Sequence, residues 1–163
     1  MNIVLLEPEI PHNTGAIGRT CHVTGTTLHL ICPLGFSVDE KSVRRSGLDY
    51  WKDLDVRYYD NFSHFLQEAA PKRLWMATTK ARLSYTDAAY APDDFIMFGK
   101  ESMGIPEEIL LQYPDAAIRI PMLPDRRSLN LSVSAGIVLY EALRQTGFAA
   151  LETEGRLHEH EWQ

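Results

Sequence analysis

The sequence predicts an α/β domain with a mainly parallel sheet flanked by helices. Strand-like runs alternate with helical patterns along the chain, the order that builds parallel sheets. The clearest case is residues 118–147, where Ile118-Arg119-Ile120-Pro121 reads as a strand stopped by proline. After a polar loop, Leu131, Ala135, Val138, Leu139, Ala142 and Leu143 then recur at spacings of three and four, one face of a helix. The length, 163 residues, suits one domain around a single substantial core.

Residues 2–6 form the first strand of this reading. The segment EPEIPHNTG follows as an extended loop, with Asn13 or Thr14 as cap of a helix that carries Ile17 and Cys21 and stops at Gly25. Residues 27–32 are a second strand, a short basic helix lies around Val38–Ser46, and Leu54–Tyr59 is a third strand. Asn61 or Ser63 opens a helix with Phe62, Phe65 and Leu66 inward. Residues 73–79 and 95–98 are strands, and 80–94 between them reads as a surface loop. Pro106 suits a first helical position, with Glu107 and Glu108 complementing the dipole. Ser128, Asn130 and Ser132 compete to cap the last helix, and Gly147 ends it in a left-handed conformation. Gly136 inside that helix implies the close approach of another backbone, because glycine there costs about 1 kcal/mol against alanine. The domain is expected to span 1–150, with 151–163 as a loosely ordered acidic tail holding four glutamates against one arginine.

Composition excludes several classes. No apolar run reaches the roughly 20 residues of a membrane span. The N-terminus carries no signal-peptide pattern. Cys21 and Cys32 form neither a disulfide framework nor a metal spacing, so a reducing cytoplasm is the expected setting. His158 and His160 in HEHEW lack a third ligand and read as solvated, leaving no metal site. A net charge of −6 argues against a non-specific polyanion binder. The paired basic residues, including Arg44-Arg45 and Arg126-Arg127, are either ordinary solvated surface or, grouped on one face, a grip for a phosphate backbone.

No glycine triplet of a dinucleotide fold, no Walker A sequence and no hydrolase nucleophile elbow is present. Three loops remain at the C-terminal ends of strands, where open α/β sheets bind ligands: NTGAIGR (13–19), FGKESMGIP (98–106) and the loop ending in SLNLS (128–132). The last leads into a helix N-terminus, which favours a polar or anionic group and is equally consistent with a plain capped helix.

In order and context these loops resemble the three motifs of the SPOUT class of RNA methyltransferases, in the SpoU branch that methylates ribose 2′-hydroxyls. Together with PEIP (8–11), RRSGLDY (44–50), TTK (78–80) and YEA (140–142), they resemble the small single-domain tRNA wobble-nucleotide 2′-O-methyltransferases over residues 2–148. The resemblance implies a C-terminal trefoil knot and an S-adenosyl-L-methionine cofactor, leaving as S-adenosyl-L-homocysteine. It implies a homodimer without a membrane association, and a tRNA anticodon stem-loop as substrate, methylated at cytidine or uridine 34. Another RNA, such as ribosomal RNA, and a non-catalytic RNA-binding protein that keeps the pocket are the rival readings.

Position by position, the resemblance places Ala77, Thr78, Gly99, Glu101, Gly104, Ile120, Met122, Ser128, Leu129 and Asn130 around the cofactor. Gly99 and Gly104 fit a fold in which chain passes close to chain. Arg19, Asn13, Glu101 and Ser128 fall at catalytic positions. A guanidinium stays protonated in proteins, so the role that fits Arg19 is clamping an RNA phosphate and stabilising developing alkoxide charge. Ser128, Glu101, a phosphate or water is then left to take the proton. Arg44, Arg45, Lys80, Arg126, Arg127 and Tyr140 are the expected RNA contacts, Tyr140 being equally suited to a subunit interface. Lys100 stands where the family often has proline, and Ser102-Met103 where it has threonine-arginine.

Overall fold

The strands are β1 (Asn2–Leu6), β2 (Thr27–Ile31), β3 (Val56–Tyr59), β4 (Leu74–Ala77), β5 (Leu83–Ser84), β6 (Phe95–Phe98) and β7 (Ala117–Arg119). The helices are α1 (Pro11–Thr24), α2 (Phe62–Ala69), α3 (Glu107–Leu110) and α4 (Leu131–Gln145). They come from a computed structural model that describes residues 1–36 and 49–162. The expected helix at 38–46, with Arg44 and Arg45, lies outside the described residues.

The seven strands make one sheet in the order β3-β2-β1-β6-β4-β7-β5, with every pairing parallel. Side-chain alternation divides the core between two faces. Ile3, Leu5, Leu28, Leu30, Ile96 and Phe98 pack on the side of α1 and α4, against Ile17, Cys21, Val138 and Leu139. Val4, Leu6, Ile31, Met76 and Met97 pack on the side of α2, against Phe65. Both faces being covered is why β1 and β2 read as nearly continuous apolar runs.

Three expectations change. Asn13 and Thr14 do not cap α1, because Pro11 takes its first turn and Ile10 stands at the cap with no side-chain bond. Asn13 is thereby released for the contacts described below. Residues 80–94 are not merely a surface loop. They contribute β5 and bury Ala81, Ala88 and Tyr90, the last two in the core beside α4. The Tyr90 hydroxyl donates to the Tyr85 carbonyl at 2.8 Å and its N–H to Gln145 of α4 at 3.0 Å. Finally, among the described residues none outside its own helix turn comes within 4 Å of the place a Gly136 Cβ would take, so no other backbone of the described chain makes the approach expected there. The cap assignments at 61 and 130 hold: Asn61 accepts from His64 N–H, and Asn130, of the three candidates, accepts from Ser132 and Val133 N–H. Gly147, at φ 75°, closes α4 as read, with Phe148 N–H reaching back to Leu143 at 2.8 Å.

His29 lies fully buried in β2. Its Nε2–H faces the Asn2 Oδ1 acceptor at 3.1 Å, so Nδ1 accepts from the Tyr59 hydroxyl at 2.8 Å, the pattern of a neutral ring. Burial, aided by the Arg57 charge, pushes its pKa down to about 4. A folded value below the unfolded 6.5 means stability is held above pH 6.5 and lost as pH falls toward 4, by about 3 kcal/mol. Urea unfolding at pH 7 and pH 4.5 should register that loss, and His29→Gln should flatten it. Equal pH slopes for the two proteins would refute the assignment.

Candidate cofactor and active site

A cavity of about 500 Å³ opens at the C-terminal ends of β4, β6 and β7. Its volume lies in the range of small-molecule and cofactor sites. The turn after β6, the loop 120–130 and the N-terminal face of α4 wall it in. Each of the residues expected around a cofactor lines this cavity: Ala77, Thr78, Gly99, Glu101, Gly104, Ile120, Met122, Ser128, Leu129 and Asn130.

The turn is tight where it leaves β6. A Cβ on Gly99 would lie 2.0 Å from the Gly104 carbonyl carbon, and Gly104 itself has φ 72°. Gly104 N–H donates back to the Lys100 carbonyl at 2.7 Å. Glycine at both positions is therefore a steric necessity at the first and a conformational preference at the second.

A polar chain links the three sequence loops. Glu101 accepts from Asn13 Nδ2 at 2.9 Å, and Asn13 Oδ1 accepts from Asn130 Nδ2 at 3.0 Å. Asn130 Oδ1 in turn holds Ser132 N–H at 2.9 Å and Ser132 Oγ at 2.7 Å in the first turn of α4. Glu101 also accepts from the N–H groups of Glu9 at 2.8 Å and Ile10 at 3.3 Å. With donors on both its oxygens, Glu101 ties the turn after β6 to the start of α1.

The other candidates divide. Asn13, Ser128, Lys80 and Arg127 line the cavity. Lys80 also pairs with Glu107 across 2.8 Å at its edge. Arg19 is exposed on α1, with its guanidinium 4.8 Å from the Tyr50 ring centroid, and is absent from the cavity wall. Arg126 is exposed beside that wall, and Tyr140 is 46% exposed on α4. Ser134 and Val138 went unnoticed as lining residues. Their spacing of four from Asn130 was the available signal, since it puts all three on one helical face.

Apolar walls from Ile118, Ile120, Leu129 and Val138, beside a polar rim of Asn13, Thr78, Ser128 and Asn130, suit a ligand with an aromatic base and a zwitterionic tail. The residues present thus fit the cofactor the resemblance implies. Residues 1–140 match the model of the SpoU rRNA methylase family. The chain belongs to that family.

This SpoU methylase is 49% identical over 149 residues to the tRNA (cytidine(34)-2′-O)-methyltransferase of Saccharophagus degradans, covering 91% of this chain and 97% of that one. A solved structure described as giving insights into the 2-OH methylation of C/U34 on tRNA superposes with a TM-score of 0.83 at 41% identity, over 90% of this chain and 95% of its own. An AdoMet-bound rRNA methyltransferase from Sinorhizobium meliloti superposes with a TM-score of 0.74 at 26% identity, over 88% of this chain and 55% of its own. No helix among the described residues is long and apolar enough to cross a membrane.

Proposed function

We propose that this SpoU methylase transfers the methyl group of S-adenosyl-L-methionine to the ribose 2′-hydroxyl of nucleotide 34, a cytidine or uridine, in the anticodon stem-loop of tRNA. The observation that carries the reading is the convergence of the three loops, through Glu101, Asn13 and Asn130, on one cavity of cofactor size. The bound cofactor supplies an electrophilic methyl on a sulfonium. The ribose oxygen that would take this methyl gives up its hydroxyl proton, which the chain has to route away.

Within that reaction the chain aligns and stabilises. Asn13 and Asn130 fix the wall beside the reacting groups. Ser128, which lines the cavity wall, passes the proton to water or phosphate in this reading. Arg19, outside the wall, serves the RNA side, where it steadies the backbone and developing alkoxide charge. Lys80, Arg126 and Arg127 contact phosphates, together with Arg44 and Arg45.

The reading includes a trefoil knot in the C-terminal part. Support comes from α4 lying packed among Ala88 and Tyr90 of the 80–94 segment, and from β7 sitting between β4 and β5. It also includes a two-fold dimer in the cytoplasm, with RNA contacting both subunits. The outer face of α4 supports this: Val133 is 50% exposed and Tyr140 46%, on the stripe that Gly136 leaves open. Residues 1–150 are the catalytic domain and 151–163 an appended tail, of which residues 152–162 are exposed.

The test is transfer from labelled S-adenosyl-L-methionine to tRNA of a strain lacking the gene, followed by nucleoside analysis. A 2′-O-methylated pyrimidine at position 34 is the expected product. Label appearing only in ribosomal RNA would move the substrate, and cofactor binding without transfer to any RNA would refute the enzyme.

A further inference from the structure

The residues after β1 and those after β6 hold each other reciprocally. The Glu9 carboxylate accepts from Ser102 N–H and from Ser102 Oγ, both at 2.8 Å. In return Glu9 N–H donates to Glu101 Oε2 at 2.8 Å. Two residues before Glu9 and two before Ser102, Lys100 Nζ lies 2.8 Å from Glu7. The back of this segment is held too. A Cβ on Gly35 would fall 2.7 Å from Glu9 Cα, and Gly35 N–H donates to the Pro8 carbonyl at 2.9 Å.

Glu9 therefore sits between a fixed backbone behind and the cavity wall in front. Ser102 lines the cavity, as does its neighbour Met103, whose side chain is otherwise 75% exposed at the apex of the turn. Glu9 does not line it. The Ser102 donors hold the Glu9 carboxyl below the usual carboxylate range, so these bonds are charge-assisted at neutral pH.

We propose that Glu9 is a positioning residue for the methyl-donor site: by clasping Ser102 it presets the 100–104 wall and so governs cofactor affinity without touching the cofactor. The role rests on the cavity being the S-adenosyl-L-methionine site. A preformed wall removes an ordering cost from binding and leaves the transfer step alone, so the effect belongs in cofactor Kd and KM and not in kcat.

Calorimetric titration with S-adenosyl-L-methionine and steady-state transfer to tRNA test this on the full chain. Glu9→Ala should raise cofactor Kd and KM about tenfold, with kcat at saturating cofactor within about twofold of the unaltered protein. Glu9→Gln keeps an acceptor for Ser102 N–H and should recover most of the affinity. Ser102→Ala added to Glu9→Ala should weaken binding no further, because the two act through one contact. Unchanged cofactor affinity in Glu9→Ala overturns the inference alone. So does a lowered melting temperature that Glu9→Gln reverses without restoring affinity. Failure of the unaltered protein to bind the cofactor overturns the underlying reading, and the inference with it.

Discussion

Replacing Arg19 with alanine is expected to cut turnover on tRNA about a hundredfold, about 2.7 kcal/mol of transition-state stabilisation, and to leave cofactor affinity within about twofold. The split follows from where the side chain stands. It lies on α1, exposed and away from the cavity lining, so the cofactor loses no wall when it is truncated. Its ring contact with Tyr50, at 4.8 Å, is worth about 0.5–1 kcal/mol at an exposed site, and a thermal melt of the variant reads any loss of stability separately from turnover. What a guanidinium in this place offers is a fixed positive charge toward a polyanion, and a charge serving the transition state appears in kcat. Arg19→Lys keeps the charge without the planar fork and should recover only part of the activity. Titration with the cofactor beside single-turnover transfer separates the two quantities. Turnover that survives in Arg19→Ala makes Arg19 a surface residue resting on Tyr50, and cofactor affinity lost in step with turnover refutes the division of labour between α1 and the cavity.

The same separation marks how far the sequence could be read. The strands were legible because NIVLL, TLHLI and FIMF are buried on both faces and carry little else. Their order was not, since β6 inserting between β1 and β4 depends on pairings remote in sequence. The 80–94 segment misled because the run Ala88-Ala89-Tyr90-Ala91, between Asp87 and Pro92, is too short to show a period that would announce α4 covering Ala88 and Tyr90. Asn13 looked like a cap because its residue type is right and the helix starts nearby, but Pro11 had already supplied the start. The three cavity loops were visible as punctuated turns after strands, and the family resemblance supplied which of their residues face a cofactor. Glu7 and Glu9 escaped both routes. A carboxylate in an extended loop has no periodic signature, and its partner, Ser102, is 93 residues away.

Gly99→Ala should be the most damaging single-methyl change in the molecule. The new Cβ would meet the Gly104 carbonyl carbon at 2.0 Å and Ile105 N at 2.2 Å, and both are backbone atoms that no rotamer change can move. Relief requires opening the turn by more than 1 Å, against the 2.7 Å bond from Gly104 N–H to Lys100 and against Ile105, which is buried in the α2-side core. Overpacking of this kind costs about 3 kcal/mol, or about 6–12 °C in melting temperature for a domain of this size. The same displacement carries Glu101 away from Asn13, so cofactor affinity should fall about a hundredfold in whatever fraction remains folded. Gly104→Ala is the control. Its φ of 72° makes alanine uncomfortable there by about 1–2 kcal/mol, yet among the described residues, its chain neighbours apart, no atom lies within 4 Å of the new methyl, so the cavity wall keeps its place. Thermal melts and cofactor titrations on the two variants should therefore separate, with Gly104→Ala less stable but still binding and Gly99→Ala failing at both. Equal behaviour of the pair would mean that conformational preference, and not the contact across the turn, determines the need for glycine there.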